Sequence, residues 1–263
     1  LAGALMKRLL LSLAMVLALA APSFAAEDIV VGVTPFPHKD IMLAAKPLLA
    51  KEGYNLVIKE FTDYVQPNMA LASKQLFANF FQHEPYLDNM NKEKKLDLVS
   101  IGKVHIEPLG VYSKKIKKLA DLKKGNSISV PNDPTNEARA LRLLEANGVI
   151  TIKPGALVTV ADITKNPLGL KFHELDAAQL PRTLDDVTAS VINTNFAGEA
   201  GLVPARDALV MEGSESPYAN IVVVRSEDKD SPKAKALMKA VQSPEVKAYI
   251  QKNLVERGIV PVF

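Results

Sequence analysis

The sequence contains no cysteine, which excludes disulfides, thiolate metal sites and cysteine nucleophiles together. Charge of one sign is not in excess either. Lys and Arg number 32 and Asp and Glu 29, and taking away Lys7 and Arg8 leaves 30 basic residues against 29 acidic. A near-neutral surface gives no electrostatic case for nucleic acid or an anionic membrane. The run Lys114-Lys115-Ile116-Lys117-Lys118 reads as a solvated helix start. No hydrophobic run reaches membrane-spanning length: Leu9 to Ala21 is 13 residues, against the ~20 needed to cross a bilayer. The motifs Gly-x-Ser-x-Gly, His-Glu-x-x-His and Gly-x-x-x-x-Gly-Lys do not occur. His38, His83, His105 and His173 form no i,i+3 or i,i+4 pair, so neither a metal site nor a cofactor is expected. No two carboxylates stand out as an acid and a base. The chain offers recognition groups and no reaction, and is not expected to be an enzyme.

What is present begins with an export signal. Lys7 and Arg8 precede the Leu/Ala-rich run, Pro22 breaks it, and Ser23-Phe24-Ala25 supplies small residues at a cleavage position. Residues 1–25 therefore read as a signal peptide cut near Ala25, with Met6 as the natural start. The mature chain is long enough to stabilise a fold by its core alone. With no cysteine to carry a lipid after the signal, a freely diffusing protein needs an outer membrane to retain it, which places it in a periplasm.

Strands and helices alternate along the mature chain. Ile29 to Val33 is a β-branched strand. Residues 39 to 52 read as an amphipathic helix closed by Gly53. Strands follow at Leu56 to Glu60 and Phe77 to His83, then a helix from Glu84-Pro85. Val99 to Ser113 is extended and interrupted at Pro108. Ser127 to Val130 is a strand, Asn136 to Ala146 a helix, 177 to 186 helical, Val187 to Asn193 a strand, and Ile221 to Val224 another. The tail from Ser231 to Leu254 is helical and divided at Pro244. This order predicts an α/β fold with mostly parallel sheets. Two extended segments, near 104–113 and 217–225, are placed to run side by side between two lobes.

Four junctions concentrate aromatic and polar side chains where open α/β sheets bind ligands. Tyr64 precedes a Pro-Asn helix start, which turn chemistry explains equally well. In Asn79-Phe80-Phe81-Gln82-His83-Glu84-Pro85-Tyr86, strand alternation puts Asn79, Phe81 and His83 on one face and Phe80 and Gln82 on the other. Aromatic walls of this kind suit a thioether or an aliphatic side chain. Asp133 and Pro134 are N-cap and N1 of the third junction's helix. Its first turns carry Asn136 and Arg139 on one face, where the guanidinium can grip a carboxylate. Asn193 and Asn195 end a strand and can present amide oxygens to an ammonium group; an Asn-rich turn is the plainer alternative. An anion grip, an amine grip and an aromatic wall together describe a free amino acid.

Seven segments then resemble, in order, the methionine-binding protein family of ABC importers, the MetQ/NlpA family: GVTPFPH (32–38), FTDYVQPN (61–68), ANFFQHEPYLD (78–88), VHIEPLGVYSKKIKKLADLKKG (104–125), VPNDPTNEARALRLLEANG (130–148), VINTNFA (191–197) and SPYANIVVVR (216–225). The resemblance implies a type II periplasmic binding protein whose discontinuous lobes, 26–108 with 222–263 and 109–221, are joined by two crossing strands. It implies that Tyr64, Phe81, His83 and Tyr86 enclose a thioether side chain. Arg139 with Asn136 would hold the carboxylate, and Asn193 and Asn195 the amino group. The implied ligand is L-methionine. The implied partners are an inner-membrane permease and its ATPase, served by a monomer. Many members carry a lipid-bearing cysteine after the signal; here Ser23-Phe24-Ala25-Ala26 stands instead, so no lipid anchor is expected. D-methionine, a methionine-containing dipeptide or another apolar amino acid would suit the same fold. A periplasmic enzyme on this fold, and a surface adhesin or purely structural protein, are the more distant alternatives.

Overall fold

The structure, a computed structural model, describes residues 26–213 and 217–263; the signal-peptide reading falls on residues outside these. In chain order the elements are β1 (Glu27–Val33), α1 (Asp40–Lys51), β2 (Tyr54–Glu60), α2 (Gln66–Ala72), β3 (Ala78–His83), α3 (Glu84–Lys94), β4 (Leu98–Ile106), β5 (Gly110–Tyr112), β6 (Ser127–Pro131) and α4 (Pro134–Ala146). After a ribbon of β7 (Thr151–Ile152) and β8 (Ile163–Lys165) come β9 (Lys171–Leu175), a 3-10 segment (Ala177–Asp185), β10 (Ala189–Ile192), α5 (Thr194–Glu199), α6 (Pro204–Asp207), β11 (Ala208–Met211), β12 (Ala219–Arg225), α7 (Pro232–Val241), α8 (Pro244–Asn253) and β13 (Val260–Pro261). No helix among the described residues is long and apolar enough to cross a membrane.

These strands make two main sheets. The larger has the order β13-β4-β12-β3-β1-β2 and the smaller β11-β5-β10-β6-β9. Both are mixed, which corrects the expectation of mostly parallel sheets. β1 runs parallel to β2 and β3, and β6 parallel to β9 and β10, but β4, β5 and β12 pair antiparallel to their neighbours. The physical reason is the chain's route. It leaves the large sheet along β4 and returns along β12, and an outgoing and a returning strand laid side by side must be antiparallel. Ala219 sits opposite Ile106 in that pairing.

Each sheet has its own core. Ile29, Val31 and Val33 of β1 meet Ile41, Met42, Ala45 and Leu49 of α1, and Leu237, Val241, Val246 and Ile250 of α7 and α8 pack beside α1 in the same core. Ile128, Val130 and Val191 pack on Ala138, Leu141 and Leu144 of α4 around the smaller sheet. The helix boundaries follow from sequence. Ser231 and Ser243 each accept a backbone N–H from three residues on, with proline in the first turn. The tail therefore has two starts, and Pro244 opens the second. Gly53, at φ +85°, takes the left-handed turn after α1 that a side chain would strain.

Strict alternation along β3 does not survive. The register against β12 slips between Ile221 and Val222, so Gln82 and Phe80 face consecutive partners and Phe81 is the extra residue. A bulge of this kind puts Asn79 and Gln82 together. Gln82 Nε2 donates to Asn79 Oδ1 at 2.9 Å and to Asn68 Oδ1 at 2.7 Å, and Asn68 Nδ2 donates back to Gln82 Oε1 at 2.9 Å. Asn79 Nδ2 donates to Asn68 Oδ1 at 2.8 Å and to the Pro67 carbonyl. The three amides are buried and brace the strand that carries Phe81 and His83 towards the small sheet.

Candidate functional site

Between the two sheets lies a cleft, and Tyr64, Phe81, His83, Tyr86, Asn136, Arg139, Asn193 and Asn195 all line it. The sequence reading missed Gln82, Glu107, Thr194 and Asn220, which line it as well. The large-sheet side is aromatic. The Tyr64 ring stands 5.9 Å from Phe81 and 5.8 Å from Tyr86, centroid to centroid, and 4.9 Å from Phe196 of α5. Tyr86 Oη donates to the Tyr64 carbonyl at 2.8 Å and pins the loop before α2.

The small-sheet side is polar, and its hydrogen bonds decide which atoms are spent. Asn136 is wholly engaged. Its Oδ1 takes hydrogen bonds from His83 Nε2 and Asn193 Nδ2, each at 3.1 Å, and its Nδ2 donates to the Asp133 carboxylate. His83 is held in that tautomer because its Nδ1 accepts the Tyr86 N–H at 3.2 Å. Burial and the nearby Arg139 lower the His83 pKa to about 3, so the ring is neutral at pH 7. Arg139 donates from Nε and Nη2 to the Glu212 carboxylate and from Nη2 to the Glu107 carbonyl, which leaves Nη1 outside those bonds. The Tyr218 ring covers the guanidinium at 4.3 Å.

Asn193 and Asn195 do not end a strand facing one way. Asn193 is the N-cap of α5 and Asn195 lies inside that helix, so the two amides point differently. Asn195 Oδ1 accepts from Tyr64 Oη at 2.6 Å. Among the described residues, Asn195 Nδ2 and Asn193 Oδ1 are buried without a partner. Buried polar atoms are almost always paired; a donor and an acceptor in a single cleft suit a ligand's own acceptor and donor.

Two of the histidines that stand far apart in sequence meet behind the cleft. His105 Nε2 lies 2.7 Å from Glu107 Oε1, and His38 Nε2 lies 3.2 Å from the same oxygen and 2.9 Å from Asn220 Oδ1. One ligand atom from each of His38, His105 and Glu107 falls within a 4.8 Å cluster. The two shortest separations are nevertheless hydrogen-bond lengths with a proton between the heavy atoms, so the group is a relay converging on Glu107. Its clue in the sequence is His105-x-Glu107, two residues apart at a strand end and hence on one face. His173 is exposed on β9.

Burial lowers the His105 pKa to about 3, from an ordinary 6.5. The unfolded chain therefore takes up a proton on this residue as pH falls through 6.5, while the native state does not until about 3. The stabilisation from His105 is complete above 6.5 and lost as pH falls. At pH 4.5 the loss amounts to about 2–3 kcal/mol. Raised carboxyls, such as Glu199 at about 7 through burial, act with the opposite sign, so the effect must be read as a difference. Denaturant titrations of wild type and His105→Gln are expected to show the wild-type advantage shrinking by about that amount between pH 7 and 4.5. A constant difference would refute the assignment.

A mixed α/β fold with a buried polar cleft between its two sheets is the architecture of a solute-binding protein. Residues 29–263 match the family described as NlpA lipoprotein, and the chain belongs to that family. It is 44% identical over 220 residues to the D-methionine-binding lipoprotein MetQ of Escherichia coli K12, covering 82% of this chain and 80% of that one. It is 48% identical over 226 residues to outer membrane lipoprotein 3 of Mannheimia haemolytica, covering 84% and 85%. Among solved structures, a nutrient binding protein from Burkholderia cenocepacia bound to methionine is 51% identical with a TM-score of 0.86, covering 89% of this chain and all of that one. A periplasmic substrate-binding protein of an ABC transporter from Coxiella burnetii is 47% identical with a TM-score of 0.85, over the same shares. Relatives with lipoprotein names are at odds with the expectation of an untethered chain; the segment on which that expectation rests lies outside the described residues.

Proposed function

We propose that this chain is the exported substrate-binding component of an ABC importer and that it closes on methionine. The observation that carries the reading is the pairing of atoms in the cleft. Arg139 Nη1 and Asn195 Nδ2 are donors suited to a carboxylate, Asn193 Oδ1 is an acceptor suited to an ammonium group, and Tyr64, Phe81 and Tyr86 form a wall suited to a thioether. Asn136, whose amide is spent, serves instead as a strut tying His83 to Asn193. The relatives' names and the methionine-bound structure from Burkholderia support the same ligand. The permease and its ATPase are the partners, the chain acts as a monomer in the periplasm, and cleavage falls near Ala25. Calorimetric titration of ligand-stripped protein with L-methionine, D-methionine, glycyl-methionine and leucine tests it: selective heat with a methionine supports the reading, and no heat with any of the four sinks it. The name of the Escherichia coli relative favours a second reading, the D enantiomer, which the same titration separates.

In this reading each sheet with its helices is a lobe: residues 26–108 with 222–263, and 109–221. That β12 lies wholly in the large sheet supports a second crossing just before Ala219. Closure brings Gly198 of α5 against the Phe36 ring. A Cβ on Gly198 would clash with the edge of the Phe36 ring, and the Arg257 guanidinium stands 3.8 Å from that ring's centroid. Gly198→Val should therefore hold the lobes apart. Small-angle scattering of the methionine-saturated variant is expected to give a larger radius of gyration than wild type, with affinity at least about tenfold weaker. Identical scattering and affinity would remove this contact from the closing interface.

A further inference from the structure

Charge is balanced over the whole chain but not along its length. Between Ser113 and Ser127 stand six lysines and one acid, Asp121, with no arginine. The segment is not a helix start but a run of turns, with a single 3-10 turn at Leu119–Asp121. Ser113 Oγ fastens its beginning by accepting the Lys115 and Ile116 N–H groups at 2.9 and 3.0 Å. Its end is tied to the start of β9, where the Gly125 N–H donates to the Leu168 carbonyl and the Lys171 N–H to the Asn126 carbonyl. Lys171 thereby joins the other six. The acids bonded to this segment are Asp121, Asp185 and Asp186, three against seven lysines. Lys114 is spent on the Asp185 carboxylate and Lys115 on the Asp186 carbonyl. Lys117, Lys118, Lys123, Lys124 and Lys171 are exposed, and among the described residues none of these five ammonium groups has a bonded partner.

The patch lies at the far end of the small sheet from the cleft. β6, β9 and β10 run parallel. Where they end, β6 leads into α4 with Asn136 and Arg139, and β10 into Asn193, all of which line the cleft. The lysines stand where β6 and β9 begin, and the five residues of β6 put roughly 15 Å between the two ends. Protein interfaces centre on buried aromatic or arginine anchors, and lysine is depleted from them. None of the exposed large apolar side chains among the described residues falls in this patch. Lysine ammonium groups are hydrated point charges on flexible stems and need no shaped partner. Several of them add together against a fluid surface of phosphate charge. We propose that this end of the small sheet is a docking surface for anionic phospholipid headgroups, held by the five unpaired lysines through charge alone. Such docking is reversible and requires no lipid anchor. It is independent of the methionine reading, since none of the five lines the cleft.

Sedimentation with vesicles tests this, using protein freed of residues 1–25. The vesicles are phosphatidylethanolamine with about one-third phosphatidylglycerol, or phosphatidylcholine alone. Wild type is expected to bind the anionic vesicles at about 25 mM salt, at least about tenfold more tightly than the neutral ones, and to lose at least about fivefold at about 150 mM. Combining Lys117→Gln, Lys118→Gln, Lys123→Gln and Lys124→Gln should weaken binding to the anionic vesicles by at least about tenfold. Lys46→Gln, Lys51→Gln, Lys235→Gln and Lys252→Gln remove the same charge from exposed positions on α1, α7 and α8, and should leave binding within about twofold. Both sets lie on the surface, and thermal melts are expected to coincide with wild type. Equal losses in the two sets would show attraction by net charge only and overturn the docking surface. So would wild-type binding that does not distinguish the two kinds of vesicle, or no binding to either.

Discussion

Arg139→Ala is expected to weaken methionine binding by at least tenfold and towards a hundredfold. Hydrogen bonds to a charged group contribute roughly 1.5–3 kcal/mol, and 1.4 kcal/mol corresponds to a factor of ten. The arginine is 3% exposed, so its contact with a ligand carboxylate would be shielded from water. The structure adds a second source of loss. Glu212, whose side chain is 14% exposed, is bonded to Arg139 through both carboxylate oxygens. Removing the guanidinium leaves that carboxylate unmatched close to where the ligand's own would lie. Arg139→Ala with Glu212→Gln should therefore recover part of the affinity lost by Arg139→Ala alone. Titration calorimetry of the three proteins checks both statements, and an unchanged affinity in the single variant removes the carboxylate grip.

Asn68→Leu is expected to destabilise the fold by about 3 kcal/mol. Asn68 accepts from Asn79 and Gln82 and donates to Gln82, so its loss strands polar atoms of both neighbours in a buried site. Each stranded group costs about 1–3 kcal/mol. Replacing all three amides by apolar residues of similar shape should cost less than Asn68→Leu alone, because no partner is then left unmatched. Urea unfolding of the two variants compares them; a single variant as stable as wild type would show the network to be energetically neutral.

What the sequence made legible, and what it hid, follows the physics of each segment. β1, α1, β3, α3, β6, α4 and the two tail helices carry long apolar patterns or unambiguous caps, and their positions could be read within a residue or two. β9 and β11 could not. They are edge strands, and half-exposed edges need no apolar alternation. α5 is six residues with a glycine inside; its propensity is weak, and packing against Phe36 and Tyr64 holds it in place. In the cleft, residue types with a distinctive vocabulary stood out: aromatics beside a histidine, an arginine near a helix start, two asparagines. Glu107 and Asn220 did not, because a lone acid before a proline and an asparagine opening a valine-rich strand resemble many others. Which atoms of Asn136 and Asn195 are spent was beyond the sequence, since it depends on partners 50 to 130 positions away.

Glu107 and Arg139 meet at the chain crossing: the main-chain carbonyl of Glu107 holds the guanidinium, and Glu212 on the returning segment holds its other edge while also receiving the Leu109 N–H. The aromatic wall hangs elsewhere, on the loop before α2, on β3 and on α3. Drift in the wall alters which side chain fits; drift in the charged half disturbs the chain crossing itself. An architecture wired in this way can diversify readily among α-amino acids of different bulk, and only with difficulty towards sugars, ions or simple acids.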